Sequence, residues 1–144
     1  MTPQEIAEWF KTVIAPRIQD MDDVTATEVL KKSMSAEMPK LRILPNIGAT
    51  GHVTYATDEL TAVCPMTGIP DYYHLEVTFM PQQVLIELKS LKEYLQAYRP
   101  LPIFHEQLAS KIQQDVSNAL GPKAHIEVLL KAATRGGINA TVRA

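Results

Sequence analysis

The strongest period in the chain is two. Tyr73, Leu75, Val77 and Phe79 alternate with His74, Glu76, Thr78 and Met80. This predicts a strand with one apolar and one mixed face, ended by Pro81. His52 to Val63 is rich in Val, Thr and Tyr and predicts a second strand or a bent pair. Near the C-terminus Ile126, Val128 and Leu130 alternate, as do Ile138, Ala140 and Val142, with Gly136-Gly137 between them suiting a hairpin turn. Elsewhere the period is helical. Ile6, Trp9, Phe10 and Val13 share one face of a helix from Thr2 to about Ile14. Thr2 caps it, Pro3 suits its first turn and Glu5 completes a capping box. A second helix is expected from about Thr25 to Met38, with Thr25 and Glu28 repeating that box and Val29, Leu30 and Met34 apolar. Leu88, Leu91, Leu95 and Tyr98 mark a third, stopping before Pro100. Phe104, Leu108, Ile112, Val116 and Leu120 mark a longer one, from about Ile103 to Leu120, stopped by Gly121-Pro122. Leu41 to Gly51 reads as a connection with a short strand at Leu41 to Leu44, and Val84 to Ile86 as a short extended piece.

From residue 51 onward the order is strand, strand, helix, helix, strand, strand. Antiparallel hairpins with two helices on one face make an α+β domain. The chain thus divides into an N-terminal helical extension and connection over 1–50 and a sheet-and-helix domain over 51–144. The end strands of such a sheet are open edges, which invites self-assembly. The 144 residues suit one domain, and an apolar fraction of 46% supports a full core. A net charge of -2 weighs against a nucleic-acid or anionic-membrane partner. No apolar run reaches membrane-spanning length, and the N-terminus lacks the basic and apolar segments of a signal peptide. With one cysteine there is no intrachain disulfide, so a cytoplasmic location is expected. That cysteine and the histidines at 52, 74, 105 and 125 have no metal-ligand spacing, and no metal is expected.

Candidate chemistry centres on Cys-Pro-Met-Thr-Gly-Ile-Pro-Asp, from Cys64 to Asp71. Cys64 is either an inert small hydrophobe or a nucleophile at a strand end, where loops carry function. Asp71 is either a turn aspartate or a general acid/base. His105-Glu106 opens the long helix. Glu106 complements the helix dipole there, or else the pair binds a planar heterocycle. Lys89, Ser90 and Lys92 form a solvated helix face or hold phosphates at a helix N-terminus. Arg135, before Gly136-Gly137, belongs to a hairpin turn or contacts a phosphate.

Taken in order, Cys64 to Asp71, Glu87 to Tyr94 (Glu-Leu-Lys-Ser-Leu-Lys-Glu-Tyr), Phe104-His105-Glu106 and Thr134 to Ile138 (Thr-Arg-Gly-Gly-Ile) resemble the 7-cyano-7-deazaguanine reductases of queuosine biosynthesis. This is the QueF family in its short, single-module form, with the tunnelling fold shared with GTP cyclohydrolase I. The resemblance implies that Cys64 attacks the nitrile carbon of 7-cyano-7-deazaguanine to give a thioimide, and that Asp71 protonates the nitrile nitrogen. It implies two reductions by NADPH, through an imine, to the aminomethyl product. Glu106 would anchor the deazaguanine edge, and His105 would contact the substrate and assist proton transfer. The backbone of Ile86, Glu87 and Leu88 would line the base pocket. Lys89, Ser90 and Lys92 match the cofactor motif, with Arg135 a further candidate. The resemblance also implies a homo-oligomer of stacked rings, such as pentamers, with sites between neighbours. Two other functions fit some of these residues. One is the QueF-like amidinotransferase, which adds ammonia to cyano-deazaguanine in tRNA. The other is a non-catalytic tunnelling-fold module that binds a purine-like ligand. The Lys89-Ser90-Leu91-Lys92 pattern and acidic pI favour the reductase over the first; the set Cys64, Asp71, His105 and Glu106 argues against the second.

Overall fold

The computed structural model describes residues 1–144. Its first helix, α1 (Pro3–Trp9), has the expected capping box: the Glu5 N–H donates to Thr2 Oγ1 at 3.2 Å and the Thr2 N–H to the Glu5 carboxylate at 2.7 Å. It does not stay α-helical to Ile14. Over Phe10–Ile14 it widens by one residue into a π turn, and the Ala15 N–H bonds back to Phe10 O. Over Ala15–Asp20 it tightens to a 3-10 helix. Pro16 explains the change. It has no N–H to donate, and its ring collides with the carbonyl four residues back in an α-helix. The wide turn also turns both Phe10 and Ile14 inward.

The second helix, α2 (Asp23–Met34), starts and ends earlier than its pattern suggests. Asp22 is its cap, accepting from the Thr25 N–H at 2.7 Å. Asp22 competes with Thr25 for the same role and takes it by standing three residues ahead of a free N–H. The chain then leaves the helix so that Ala36 enters the core.

The main sheet is antiparallel and ordered β2-β3-β5-β6, comprising β2 (Val53–Val63), β3 (Pro70–Phe79), β5 (Glu127–Arg135) and β6 (Ile138–Arg143). A bulge between Thr57 and Leu60 bends β2, and another lies between Ala132 and Arg135. A separate short ladder pairs β1 (Ile43–Pro45) with β4 (Val84–Ile86). The remaining helices, α3 (Leu88–Gln96) and α4 (His105–Leu120), cover the apolar face of the sheet. Leu60, Ala62, Leu75, Val77, Phe79, Val128 and Leu130 meet Leu91, Tyr94, Leu108, Ile112 and Val116 in one core. Ile6 and Ala36 belong to that same core, so the N-terminal helices pack on the sheet-and-helix domain. On α3 the buried stripe runs through Ser90, Leu91 and Tyr94, while Leu88 is exposed. A spacing of three or four residues fits either side of a helix turn, and packing selects this one.

A polar chain is built into the helix layer. Tyr98 and Tyr94 hydroxyls lie 2.7 Å apart, and Tyr94 donates to Asp115 Oδ2 at 2.7 Å. Lys111 Nζ lies 3.4 Å from that oxygen and donates to Met34 O at 3.0 Å, which ties α2 to α4. Burial, with Asp115 close by, raises the pKa of Tyr94 and Tyr98 above the ordinary 10.0. The folded state therefore keeps two protons that the unfolded chain releases. Their stabilisation is complete below pH 10 and is lost as the pH rises above it, by about 1.4 kcal/mol per pH unit for each tyrosine. Urea midpoints measured between about pH 9 and about pH 11 should fall accordingly. An unchanged midpoint would mean that both phenols ionise in place.

Candidate active site

The strand alternation that buries Leu60 and Ala62 carries Cys64 towards the same face, two residues on, where it is half-buried. The following turn is closed by its own backbone. The Cys64 N–H donates to Ile69 O at 2.9 Å and Cys64 O accepts from the Gly68 N–H at 2.8 Å. Gly68 has φ of 69°, a left-handed conformation that favours glycine. The N-terminal helices stand behind the turn: a Cβ on Gly68 would lie 3.9 Å from Ile18 Cδ1 and 4.0 Å from Phe10 Cε1. The extension thus backs the turn that holds the candidate nucleophile.

Asp71 is the first residue of β3 on the core face, opposite Ala62 in the ladder, and only 6% exposed. Its backbone carbonyl accepts from Thr61 Oγ1 at 2.7 Å. Arg135, at the end of β5, reaches back over the strand end. Its Nη1 lies 3.4 Å from Asp71 Oδ1 and its Nη2 donates to Pro70 O. Arg135 thus gives the buried Asp71 side chain a cationic partner. Arg135 was expected at a cofactor phosphate. About half of its side chain, 47%, still faces solvent.

His105 and Glu106 come to the same place through the segment before α4. The Val63 N–H donates to Leu101 O and the Ile103 N–H to Val63 O, each at 3.0 Å. These bonds hold residues 101–103 beside the last residue of β2. They also explain why α4 begins at His105 and not at Ile103. His105 Nδ1 lies 2.8 Å from the Tyr73 hydroxyl, and the two rings meet edge to face, 5.3 Å apart. Burial raises the Tyr73 pKa far above the ordinary range, and the charges of Asp71, Cys64 and Glu106 raise it further, while Arg135 opposes them. Cys64, Asp71, Glu106 and Arg135 thus all act electrostatically on one buried phenol. The sequence pattern assigns Tyr73 to the apolar strand face only. Its site role had one available signal: it is two residues from Asp71, hence on the same face.

The second predicted group stands apart. No hydrogen bond or ion pair connects Ile86, Glu87, Leu88, Lys89, Ser90 or Lys92 to the Cys64 turn within the chain. Glu87 caps α3, its carboxylate accepting from the N–H groups of Lys89 at 2.7 Å and Ser90 at 2.8 Å. These bonds hold its pKa below the usual carboxylate value. Ser90 is buried. Its hydroxyl donates to Glu87 O and accepts from the Arg42 N–H. The backbone donors at this helix start are therefore occupied by the protein's own carboxylate. Lys89 and Lys92 remain exposed, with Lys89 Nζ 3.6 Å from Glu93. Lys92 and Arg99 border a mainly apolar cleft of about 170 Å³ between α3 and β2, lined by Tyr55, Leu60, Val77, Leu91 and Leu95.

The arrangement offers a thiol, a carboxylate with an arginine partner, and an imidazole held by a phenol. These suit addition of a nucleophile to a polarised carbon with proton delivery beside it. No group of His, Cys, Asp and Glu side chains is placed to hold a metal ion, and no helix is long and apolar enough to cross a membrane.

The chain is similar to known proteins. A family model described as QueF-like protein matches residues 70–144. The NADPH-dependent 7-cyano-7-deazaguanine reductase of Syntrophus aciditrophicus is 46% identical over 92 residues, which is 64% of this chain and 65% of that protein. The enzyme of the same name from Elusimicrobium minutum is 33% identical over 126 residues, 87% of this chain and 95% of its own. Among solved structures, the archaeosine synthase QueF-Like in its apo form aligns with a TM-score of 0.59, covering 69% of this chain and 94% of its own at 22% identity. That likeness concerns the fold. With the family model over more than half its length and a relative 33% identical over 87% of it, the chain belongs to the QueF family.

Proposed function

We propose that the chain is an NADPH-dependent nitrile reductase that converts 7-cyano-7-deazaguanine to 7-aminomethyl-7-deazaguanine in queuosine biosynthesis. One observation carries this reading. The only thiol in the sequence and a buried aspartate stand at the shared end of β2 and β3, which supports a role for one at a nitrile carbon and for the other at its nitrogen. The names of the relatives give the substrate and the reductant.

In this reading Cys64 Sγ adds to the nitrile carbon. The thiol proton and the C≡N π bond become the N–H of a covalent thioimide, with Asp71 delivering the proton to nitrogen. Arg135 keeps the Asp71 carboxyl oriented. Glu106 accepts N–H bonds from the deazaguanine edge and His105 contacts the substrate. After the first hydride addition Cys64 leaves as thiolate and regains a proton, so the enzyme returns unchanged, and two protons from solvent join the two hydrides in the amine. NADPH supplies the two hydrides that the change from nitrile to amine requires. Lys92, at the border of the apolar cleft, and Lys89, exposed on the same helix, fit a ring flanked by phosphates. Ser90 serves that site by holding the start of α3.

The separation of the α3 group from the Cys64 turn, and the unpaired outer edges of β2 and β6, support a homo-oligomer such as stacked pentamers. There, one copy presents Ile86, Glu87 and Leu88 to the Cys64 turn of the next. Residues 51–144 form the catalytic domain and residues 1–50 brace it.

The test is to mix the protein with 7-cyano-7-deazaguanine and NADPH, following NADPH oxidation and the intact mass. Two NADPH consumed per nitrile support the reading. A covalent adduct without NADPH consumption would overturn it in favour of amidine formation with ammonia. No adduct and no consumption would leave a binding module.

A further inference from the structure

We infer that Tyr73 is a positioning residue for the proposed reduction, and that its hydroxyl fixes the His105 tautomer so that Nε2 carries the proton presented to the substrate. The inference rests on the nitrile-reductase reading for its catalytic part and on geometry alone for the tautomer.

Tyr73 is 3% exposed, and His105 Nδ1, at 2.8 Å, is the hydrogen-bond partner of its hydroxyl. Two arrangements of that bond exist. If Nδ1–H donated, the phenol proton would be buried with no acceptor, at a cost of about 1–3 kcal/mol. If the phenol donates, both groups are satisfied and Nδ1 is bare. The phenol is well suited to donate because burial and the neighbouring Asp71, Cys64 and Glu106 hold it neutral. The edge-to-face contact, with an interplanar angle of 77°, fixes the ring as well as the proton. A neutral imidazole with a bare Nδ1 carries its proton on Nε2. The groups around this pair come from four elements: Cys64 after β2, Asp71 on β3, Glu106 on α4 and Arg135 on β5. The imidazole thus presents one fixed N–H, where a freely rotating ring would split its population between tautomers.

The experiment is solid-state 13C–15N spectroscopy of histidine-labelled protein at about pH 8.5, where an ordinary imidazole is neutral. His105 is assigned by the signal lost in His105→Gln. Wild type should show one tautomer, with a bare Nδ1. Tyr73→Phe keeps the ring and removes the hydroxyl. It should give mixed tautomers and lower kcat about tenfold, with KM nearly unchanged. A wild-type Nδ1–H tautomer overturns the inference with no variant needed. So does a Tyr73→Phe protein with the wild-type tautomer or with wild-type kcat. If wild type forms no adduct and consumes no NADPH, the reductase reading fails and with it the catalytic part. The tautomer result then decides the geometric part separately.

Discussion

Cys64→Ala is expected to abolish both NADPH oxidation and the covalent adduct with 7-cyano-7-deazaguanine, with a loss of kcat of at least about a thousandfold. The chain has no second thiol to replace it. In the proposed mechanism the hydride is accepted by a carbon bonded to sulfur, the thioimide. Removing the nucleophile removes the pathway, not merely a contact. The fold should survive. Cys64 is half-buried, its turn is closed by backbone bonds, and those bonds do not involve Sγ. Substrate binding should survive too, since the proposed recognition groups are Glu106, His105 and the backbone of residues 86–88. The measurements are NADPH absorbance, intact-protein mass and substrate binding by calorimetry. Activity within tenfold of wild type would remove Cys64 from the mechanism. Loss of binding with activity would assign it a binding role.

Asp115→Ala is expected to destabilise the protein by about 3 kcal/mol, roughly 10 °C in Tm. Lys111 is 5% exposed, and its ammonium would keep only Met34 O as partner. A buried charge without its counter-ion is among the few changes that reach this size. Tyr94 would also lose an acceptor, though Tyr98 remains within 2.7 Å. Because Lys111 anchors the end of α2, the damage should extend to the N-terminal helices. Amide exchange along Asp23–Met34 should rise more than along β3. Lys111→Met combined with Asp115→Leu should recover most of the loss, because both charges leave together. A cost below about 1 kcal/mol for Asp115→Ala would mean that water reaches the ammonium.

Both effects depend on joins that no local pattern announces. The alternation Tyr73, Leu75, Val77, Phe79 names the face of β3 that meets the helices, and all four are buried. Extended backward by two, it also places Asp71 on that face, a step that the prolines at 65 and 70 obscure. The turn around Cys64 and the Gly136-Gly137 hairpin were legible because proline fixes φ and glycine alone enters positive φ without strain, wherever they stand. The role of Glu87 was not. A carboxylate before a helix looks the same whether it caps that helix or meets a ligand, and only its bonds to the Lys89 and Ser90 N–H groups separate the two. Helix ends were misplaced for a similar reason. Asp22 and Thr25 are both good caps, and Ile103 has the right spacing for α4 until Val63 O takes its N–H.

What the sequence by itself determined is therefore the main strands and helices, the face of β3, the order of the motifs and the family. Backbone period and turn chemistry are properties of neighbouring residues and need no partner. Tertiary structure alone decided that Arg135 meets Asp71, that Tyr73 holds His105, that Ser90 is spent inside the protein and that the N-terminal helices back the Cys64 turn. Each join links residues far apart in the chain. Its formation depends on strand register, bulges and the packing of the whole core, which no short window contains.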